Sequence, residues 1–469
     1  MKYKEVMQNP NITWISNDAI SKRINAEFYD VEIGNVVNKM KQVFGDNIKN
    51  LTEFIILKDT GRNYLDTNQS NSYKYLKVNN LKEVLPDYSS LSYINKEDIN
   101  TKDKLLEVGD ILFVRVGVTS GVSSIIASKD VRGCFSDNII RIRLNQDILN
   151  PFYCSVFLSS KYGKTLINRH LKGTARPLIS YELFEDVLIP IPSPEIQKYI
   201  GDKVRRAEEL REEAKKLREK NKEILENELE LSKLEEIKID AEKQKNKWIK
   251  EEDIEERIDG DFYHPRYNYY DKALFKLDKI GNHFKISKER INRNHIKEIR
   301  YIDLSSINNL ISPQLMDVKD APDRAQLKVK EGDVIISTLS GSKKVGIITA
   351  DLDGCICTTG LVVLRSTSKI LTPEYLHAIF LNELFNIQID KYSSGAIMSG
   401  VANSDFEKMR IPIISNKSIV DKISDNTKEH FKKLLEAKKI IQEAKQDVED
   451  LIEGNFNMDK LNESLLESR

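Results

Sequence analysis

Residues 161–176 carry Lys161, Lys164, Arg169, His170, Lys172 and Arg176 with no acidic residue among them. The stretch ends in Gly173-Thr174-Ala175-Arg176-Pro177, a turn rich in hydrogen-bonding groups. Cations and backbone amides suit phosphates, whereas Arg, Asn, Gln, Ser and Thr on a rigid scaffold suit base edges. The plainer alternative is a solvated helix face followed by a loop. Two further loops offer similar groups. One runs from Arg115 to Ser120 and includes Thr119; the other contains Thr338, Ser340, Ser342, Lys343 and Lys344, the two lysines being the obvious phosphate contacts. Residues 393–400 form a polar, glycine-bearing segment with Ser393, Ser394 and Ser399 but no cation. The candidate DNA contacts are therefore Arg115, Thr119, Ser120, Lys161, Lys164, Arg169, Lys172, Thr174, Arg176, Thr338, Ser340, Ser342, Lys343, Lys344, Ser393, Ser394 and Ser399.

Catalytic motifs are missing from the sequence. Gly163-Lys164-Thr165 has Leu158 where a phosphate-cradling loop needs glycine. Asn150-Pro151-Phe152 lacks the second proline of an amino-methyltransferase motif, and no Gly-rich cofactor loop precedes it. Neither Gly-x-Ser-x-Gly nor His-Glu-x-x-His occurs. Cys134, Cys154, Cys355 and Cys357 read as buried thiols of a reducing compartment, because Cys355-x-Cys357 has no second ligand pair nearby. No catalytic or metal-binding residue is assigned, and no cofactor is expected on this chain.

The elements that must hold the loops occur twice. Arg23 to Tyr29 (RINAEFY) matches Arg257 to Tyr263 (RIDGDFY), and Gly109-Asp110-Ile111-Leu112 matches Gly332-Asp333-Val334-Ile335. Gly133-Cys134 pairs with Gly354-Cys355, Pro151-Phe152-Tyr153 with Pro373-Glu374-Tyr375, Gly173 with Gly395, and Ile189-Pro190 with Ile411-Pro412. The offset is 234 at the first anchor and 221 to 223 thereafter. A period this long means two whole domains rather than a solenoid. Gly-Asp before a β-branched run is a turn entering a strand, as in ILFVRV and VIIST. Strands VSSIIA and IIRIRL, or VGIIT and LVVLR, follow. Pro151 and Pro373 then open stretches with helical spacing. Each copy is thus a mixed α/β domain.

Each copy is followed by a long charged segment. Ala207, Leu210, Ala214, Leu217, Asn221, Ile224 and Leu231 form one heptad seam; Ile423, Thr427, His430, Leu434, Ala437, Ile441, Ala444, Val448 and Leu451 form another. Such seams predict two antiparallel helices that supercoil together, about 75 Å long for a run of about 50 residues. Asn221 either fixes register or faces solvent, and His430 reads as a tolerated seam residue. The residues from Gly454 on read as a loosely ordered polar tail.

Composition fits this layout. At 469 residues the length suggests about three domains. The charged fraction of 31% implies long solvated helices, while a net charge of zero restricts any nucleic-acid site to a local patch. No apolar leader or run of 18 apolar residues occurs, so a cytoplasmic protein without membrane contact is expected.

With these features in place, the sequence resembles the specificity subunit of type I restriction–modification enzymes. The resemblance rests on GDILFVRVGVTSGVSSII, its partner GDVIISTLSGSKKVGIIT, and KGTARPLISYELFEDVLIPIPSPEIQKYI, which is similar to the family's usual domain end. The second copy departs there, with Ser418 in place of Gln before Ile419. The duplicated order covers nearly the whole chain. It implies an α+β architecture with two target recognition domains in a pseudo-two-fold arrangement, separated by an antiparallel pair of long coiled-coil helices. The expected segments are 1–192 (first recognition domain), 193–248 (first helix), 249–415 (second recognition domain), 416–453 (second helix) and 454–469 (tail). Each domain would read one half of a split, asymmetric site in double-stranded DNA. The helices would set the unread spacer and dock two modification subunits carrying S-adenosylmethionine. A restriction subunit would bring ATP and Mg²⁺, leaving this chain catalytically silent. The alternatives are a coiled-coil scaffold that binds only protein, and a self-sufficient nuclease or methyltransferase.

Overall fold

The computed structural model describes residues 31–67, 72–99, 105–171, 177–243, 248–254, 257–260, 262–267, 276–367, 371–393 and 400–467. The chain divides into two compact units, Met1–Leu210 with Glu436–Arg469, and Arg211–Leu435. Each unit therefore combines one head with a part of each long helix.

Among the described residues the first head has nine strands: β1 (Ile48–Asn50), β2 (Ile55–Thr60), β3 (Ser72–Leu76), β4 (Ser92–Asn95), β5 (Ile111–Val114), β6 (Ser123–Ile125), β7 (Gly133–Phe135), β8 (Ile139–Leu144) and β9 (Leu188–Pro190). They form an antiparallel sheet in the order β2-β8-β5-β6, a smaller sheet β4-β3-β7, and the pair β1-β9. The second head repeats this plan with β10 (Leu277–Lys279), β11 (Phe284–Ile286), β12 (Glu298–Ile302), β13 (Gln314–Asp317), β14 (Ala325–Lys328), β15 (Val334–Ser337), β16 (Val345–Ile347), β17 (Ile356–Thr358), β18 (Leu361–Ser366) and β19 (Arg410–Pro412). Its sheets run β11-β18-β15-β16, β13-β12-β17-β14 and β10-β19. The smaller sheet gains one strand; otherwise the order is the same. The strands β5 and β15 are wholly buried, as continuous apolar runs between packed layers should be.

The sequence anchors touch one another inside each head. Gly109 and Gly332 have φ of +97° and +82°, so glycine is required to turn the chain into β5 and β15. The aspartates that follow are buried. Asp110 accepts from the backbone N–H of Glu107 at 2.8 Å and receives Nε and Nη2 of Arg143 at 2.7 and 3.0 Å. Asp333 accepts from the N–H of Lys330 at 2.8 Å and receives Nε and Nη2 of Arg365, both at 2.8 Å. The carboxylate hydrogen bonds raise both guanidinium pKa values against the opposing effect of burial. In the first head, fully buried Arg141 adds a contact to Asp110 at 3.4 Å and two bonds to Asp59 at 2.9 Å. A second repeated bond closes each head. Tyr153 Oη donates to the carbonyl of Pro190 at 2.9 Å, and Tyr375 Oη to that of Pro412 at 3.0 Å. The Arg23–Tyr29 anchor lies outside the described residues. Its counterpart folds tightly, with Tyr263 Oη donating to Arg257 O at 2.6 Å and Phe262 packed edge-on to Tyr392.

The proline-led stretches are helical, but each is broken in two. Asn150 and Thr372 accept backbone N–H groups and cap Pro151–Ser159 and Pro373–Phe380. Pro151–Ser159 is buried throughout. Ser160 ends it and caps a second helix, Lys161–Asn168. The second head continues with a helix over Glu383–Tyr392.

The long helices span Pro194–Glu228 and Lys417–Glu453, 35 and 37 residues. The first is shorter than the seam implied. It stops at Glu228 because Glu230 takes φ +45° and Leu229 turns into the second core; a separate helix runs from Leu231 to Lys243. Within the first unit the helices run antiparallel, with Lys203 bonded to Asp447 at 2.5 Å. Within the second unit they do so again, with Lys433 bonded to Glu213 at 2.6 Å. Ala207, Leu210, Ala437, Ala444, Val448 and Leu451 are buried in the first unit, and Ala214, Ile423, Thr427, His430 and Leu434 in the second. Asn221 resolves to the register-fixing alternative. It is buried, donates to Ile423 O and Thr427 Oγ1 at 3.0 Å, and accepts from Asn426 at 2.8 Å. The terminal residues expected to be loose instead form a helix over Met458–Glu467, with Leu461 buried and Lys460 reaching Asp447.

All four cysteines are buried and unpaired, and burial pushes the Cys134 thiol up to about 12. Among the described residues no helix is long and apolar enough to cross a membrane.

Two outcomes follow. Asp110→Ala leaves Arg143 without its buried partner and Arg141 with one partner fewer, and should cost about 3 kcal/mol in urea unfolding; a loss below ~1 kcal/mol would show that the clamp is dispensable. The second concerns acid. Burial, helped by His430 and Arg218, holds His377 down at about 3, and burial also lowers His430. The unfolded imidazole protonates near 6.5, so the stability His377 contributes is present above that pH. It is lost as pH falls from 6.5 towards 3, at about 1.4 kcal/mol per pH unit. Unfolding at pH 7 and pH 5 should differ by about 2 kcal/mol more in the native chain than in His377→Leu; equal pH dependence would contradict this.

Candidate nucleic-acid interface

In each head the loop after the central strand is stitched to the segment that follows the helical pair. In the first, Ile179 N donates to Arg115 O, Gly117 N to Pro177 O, and Val116 bridges Leu178. In the second, Val401 N donates to Thr338 O, and Leu339 bridges Gly400. The two regions singled out in each copy are therefore neighbours. Lys172, Thr174, Arg176, Ser394 and Ser399 lie outside the described residues.

The described part of the basic segment is held by acids distant in sequence. Lys161 Nζ meets Glu453 at 2.6 Å and Glu449 at 3.6 Å, and its backbone N–H donates to Glu449. The hydrogen bond to Glu453 raises the Lys161 pKa, and the reciprocal bond lowers that of Glu453. Lys164 pairs with Glu83, which also receives Lys445 at 2.8 Å. Burial opposes ionisation of Glu83, but the hydrogen bonds and charges of the two lysines overcome it and lower its pKa. Arg169 is half-buried and donates to Asp186 O at 2.7 Å. These three were expected as free phosphate contacts; in the structure they bind elements of their own unit.

Several loop residues serve the scaffold as well. Ser120 is buried, its Oγ within 2.7 Å of Pro177 O and 3.3 Å of Arg115 O. Gly121 has φ +90° and a Cβ there would meet Ile167 at 2.8 Å, so the turn is closed on the helix. Lys344 is tied to Ile307 O at 2.6 Å and Asn308 Oδ1 at 2.8 Å. Thr338 donates to Gly360 O at 3.2 Å, Ser340 to Asp390 at 2.7 Å, and Ser393 to Ile389 O at 2.7 Å. Ser342 is half-buried and closes the loop turn through its backbone N–H to Leu339 O.

What remains exposed without a side-chain partner among the described residues is a smaller set. Arg115 and Thr119 are exposed in the first head, with Val118 97% exposed at the tip. Lys343 is exposed in the second and has no acid partner among the described residues. The structure adds groups that no sequence motif marks. Arg62 N donates to Phe135 O and Arg115 N to Asn138 O, which places Arg62, Asn63, Arg115 and Asn138 around one turn, with Asp137 the acid between them. In the second head, Thr359 N donates to Arg324 O and Thr338 N to Gly360 O, so exposed Arg324 and Thr359 flank Thr338. Only the polarity of exposed loop residues marks them in the sequence, and many loops share it. Among the described residues no cluster of His, Cys, Asp and Glu could hold a metal.

Residues 46–226 match the family model of the type I restriction modification DNA specificity domain. Over 103 residues it is 28% identical to the type I restriction enzyme MjaVIII specificity subunit of Methanocaldococcus jannaschii. That stretch is 22% of this chain and 23% of the relative, so it spans under a quarter of the curated protein's length. Among solved structures, the type I restriction–modification S subunit from M. genitalium is 12% identical, covers 87% of this chain and 96% of its own, and gives a TM-score of 0.39. The HsdS subunit from Thermoanaerobacter tengcongensis is 16% identical, with coverage of 87% and 96% and a TM-score of 0.27.

Ser120→Ala should remove a buried hydrogen bond worth about 1 kcal/mol. Amide exchange at Gly117 and Ile179 should quicken, because the loop loses its tie to Pro177. Unchanged exchange at both positions would return Ser120 to the pool of surface contacts.

Proposed function

We propose that this chain is the non-catalytic specificity subunit of a cytoplasmic type I restriction–modification complex. Each head reads one half of a bipartite, asymmetric site in double-stranded DNA. The paired helices set the unread spacer and dock two modification subunits, which bring S-adenosylmethionine; a restriction subunit brings ATP and Mg²⁺. The observation that carries the reading is the domain match together with a duplicated scaffold whose exposed loop residues differ. Arg62, Asn63, Arg115 and Asn138 offer forks and amides to base edges in the first head. Arg324, Thr359 and Lys343 are the corresponding groups in the second. The contacts need not be alike, so the two half-sites need not be alike.

Selection of random duplexes by the full chain with its modification partner should return two short motifs separated by a fixed unread gap. Arg115→Ala should relax the preference at one base pair of one motif, weakening binding by about 1–3 kcal/mol. A flat profile across sequences would favour the protein-binding scaffold. Product formed by the purified chain alone, with Mg²⁺ or S-adenosylmethionine, would favour the self-sufficient enzyme.

A further inference from the structure

The second unit contains a cleft of about 770 Å³ that, apart from Lys343, the reading above does not use. One wall is the first long helix, with Arg218, Asn221 and Lys222; another is the helix Pro373–Phe380 with His377. His430 and Thr427 of the second long helix form the floor, and Lys343 reaches in from the strand loop. The volume suits a nucleotide-sized ligand.

Its charges are unevenly satisfied. Glu219 and Glu226 also line the cleft, but Glu219 pairs with Lys215 at 3.6 Å and Glu226 with Lys222 at 3.5 Å. Arg218 and Lys343, from separate elements, are both exposed and have no acid partner among the described residues. His377 is 7% exposed, and no hydrogen bond to its ring nitrogens is found among the described residues. His430 is engaged with Ala214 O through Nδ1 at 2.7 Å, which leaves Nε2. Asn227 and Ser232 add further donors around the same space. The cleft is therefore a set of donors with two unneutralised cations. At the matching position of the first head Ser155, fully buried, stands in place of His377.

We infer that this cleft binds a phosphate group, gripped by the Arg218 fork and the Lys343 ammonium, with His377 and the neighbouring amides as hydrogen-bonding partners. A guanidinium fork matches phosphate oxygens in pairs, and a flexible lysine supplies a second point charge. Two sources carry the same chemistry. One is a backbone phosphate of DNA held by the second head, in which case the inference rests on the proposed function. The other is a free nucleotide, in which case it does not.

The full-length chain and its Arg218→Gln and Lys343→Gln variants distinguish them, with circular dichroism confirming that each folds. ATP without metal is titrated calorimetrically, and binding to a non-target duplex is followed against salt. For a nucleotide site, the native chain binds ATP and each variant weakens it at least tenfold. For a backbone phosphate, ATP does not bind, and Arg218→Gln lowers the slope of log K on log salt by about 0.9. Arg218 decides this arm because it lies on the helix rather than in a reading loop. If ATP binds to none of the three forms, or binds equally to all three, and the Arg218→Gln slope is unchanged, the inference is overturned. A chain that shows no bipartite sequence preference but loses ATP in both variants would refute the DNA reading and leave the cleft standing.

Discussion

A buried carboxylate holds each head in shape. Asp110 and Asp333 are sunk beneath the turn that enters the central strand, where an unpaired charge would be costly. Each is compensated twice, by a backbone N–H three residues earlier and by a two-point arginine from the adjacent strand β8 or β18. The clamp fixes the turn, the register of the central strand and hence the place where that strand ends. The loop of Arg115 to Ser120, or Thr338 to Lys344, begins at that end. The loops are free to differ because the clamp lies below them and does not depend on their side chains.

The scaffold was legible in the sequence for a physical reason. Gly109, Asp110, Tyr153 and Pro190 recur at nearly constant offset because they bond to each other or turn the chain in a way that few residue types allow. The strands showed through their β-branched runs, and the second helical seam was read almost completely because burial follows the heptad. The end of the first long helix was not legible. Glu230 adopts a left-handed backbone conformation that nothing in its local sequence announces, since the seam pattern continues to Leu231. Arg143 and Arg365 were hidden as well, for a polar residue inside a strand does not name its partner.

The candidate interface was less legible than the scaffold. A run of cations without acids looks like a phosphate surface only while the chain is considered linearly. Folding brings Glu83, Glu449 and Glu453 to Lys161 and Lys164, and the patch becomes a seam between a head and helices of the same unit. The buried hydroxyl of Ser120 has a similar history: a residue able to meet a base is instead spent on a carbonyl. Conversely, Arg62 and Asn138 gain interest only through the turn that brings them to Arg115. Scaffold pairs are readable because they constrain one another, and surface contacts are not, because their partner lies outside the chain.

The duplicated clamp with divergent loops makes one claim central: each head reads its own half-site independently. The direct measurement exchanges residues 1–190 for the head of a relative with a different target and determines the recognised sequence of the assembled complex. The exchange must preserve Lys161 and Tyr162, which hold Glu453 at the end of the second long helix. The account predicts that one half-site changes while the other half-site and the gap stay as they were. A change in both half-sites, or in neither, would contradict it.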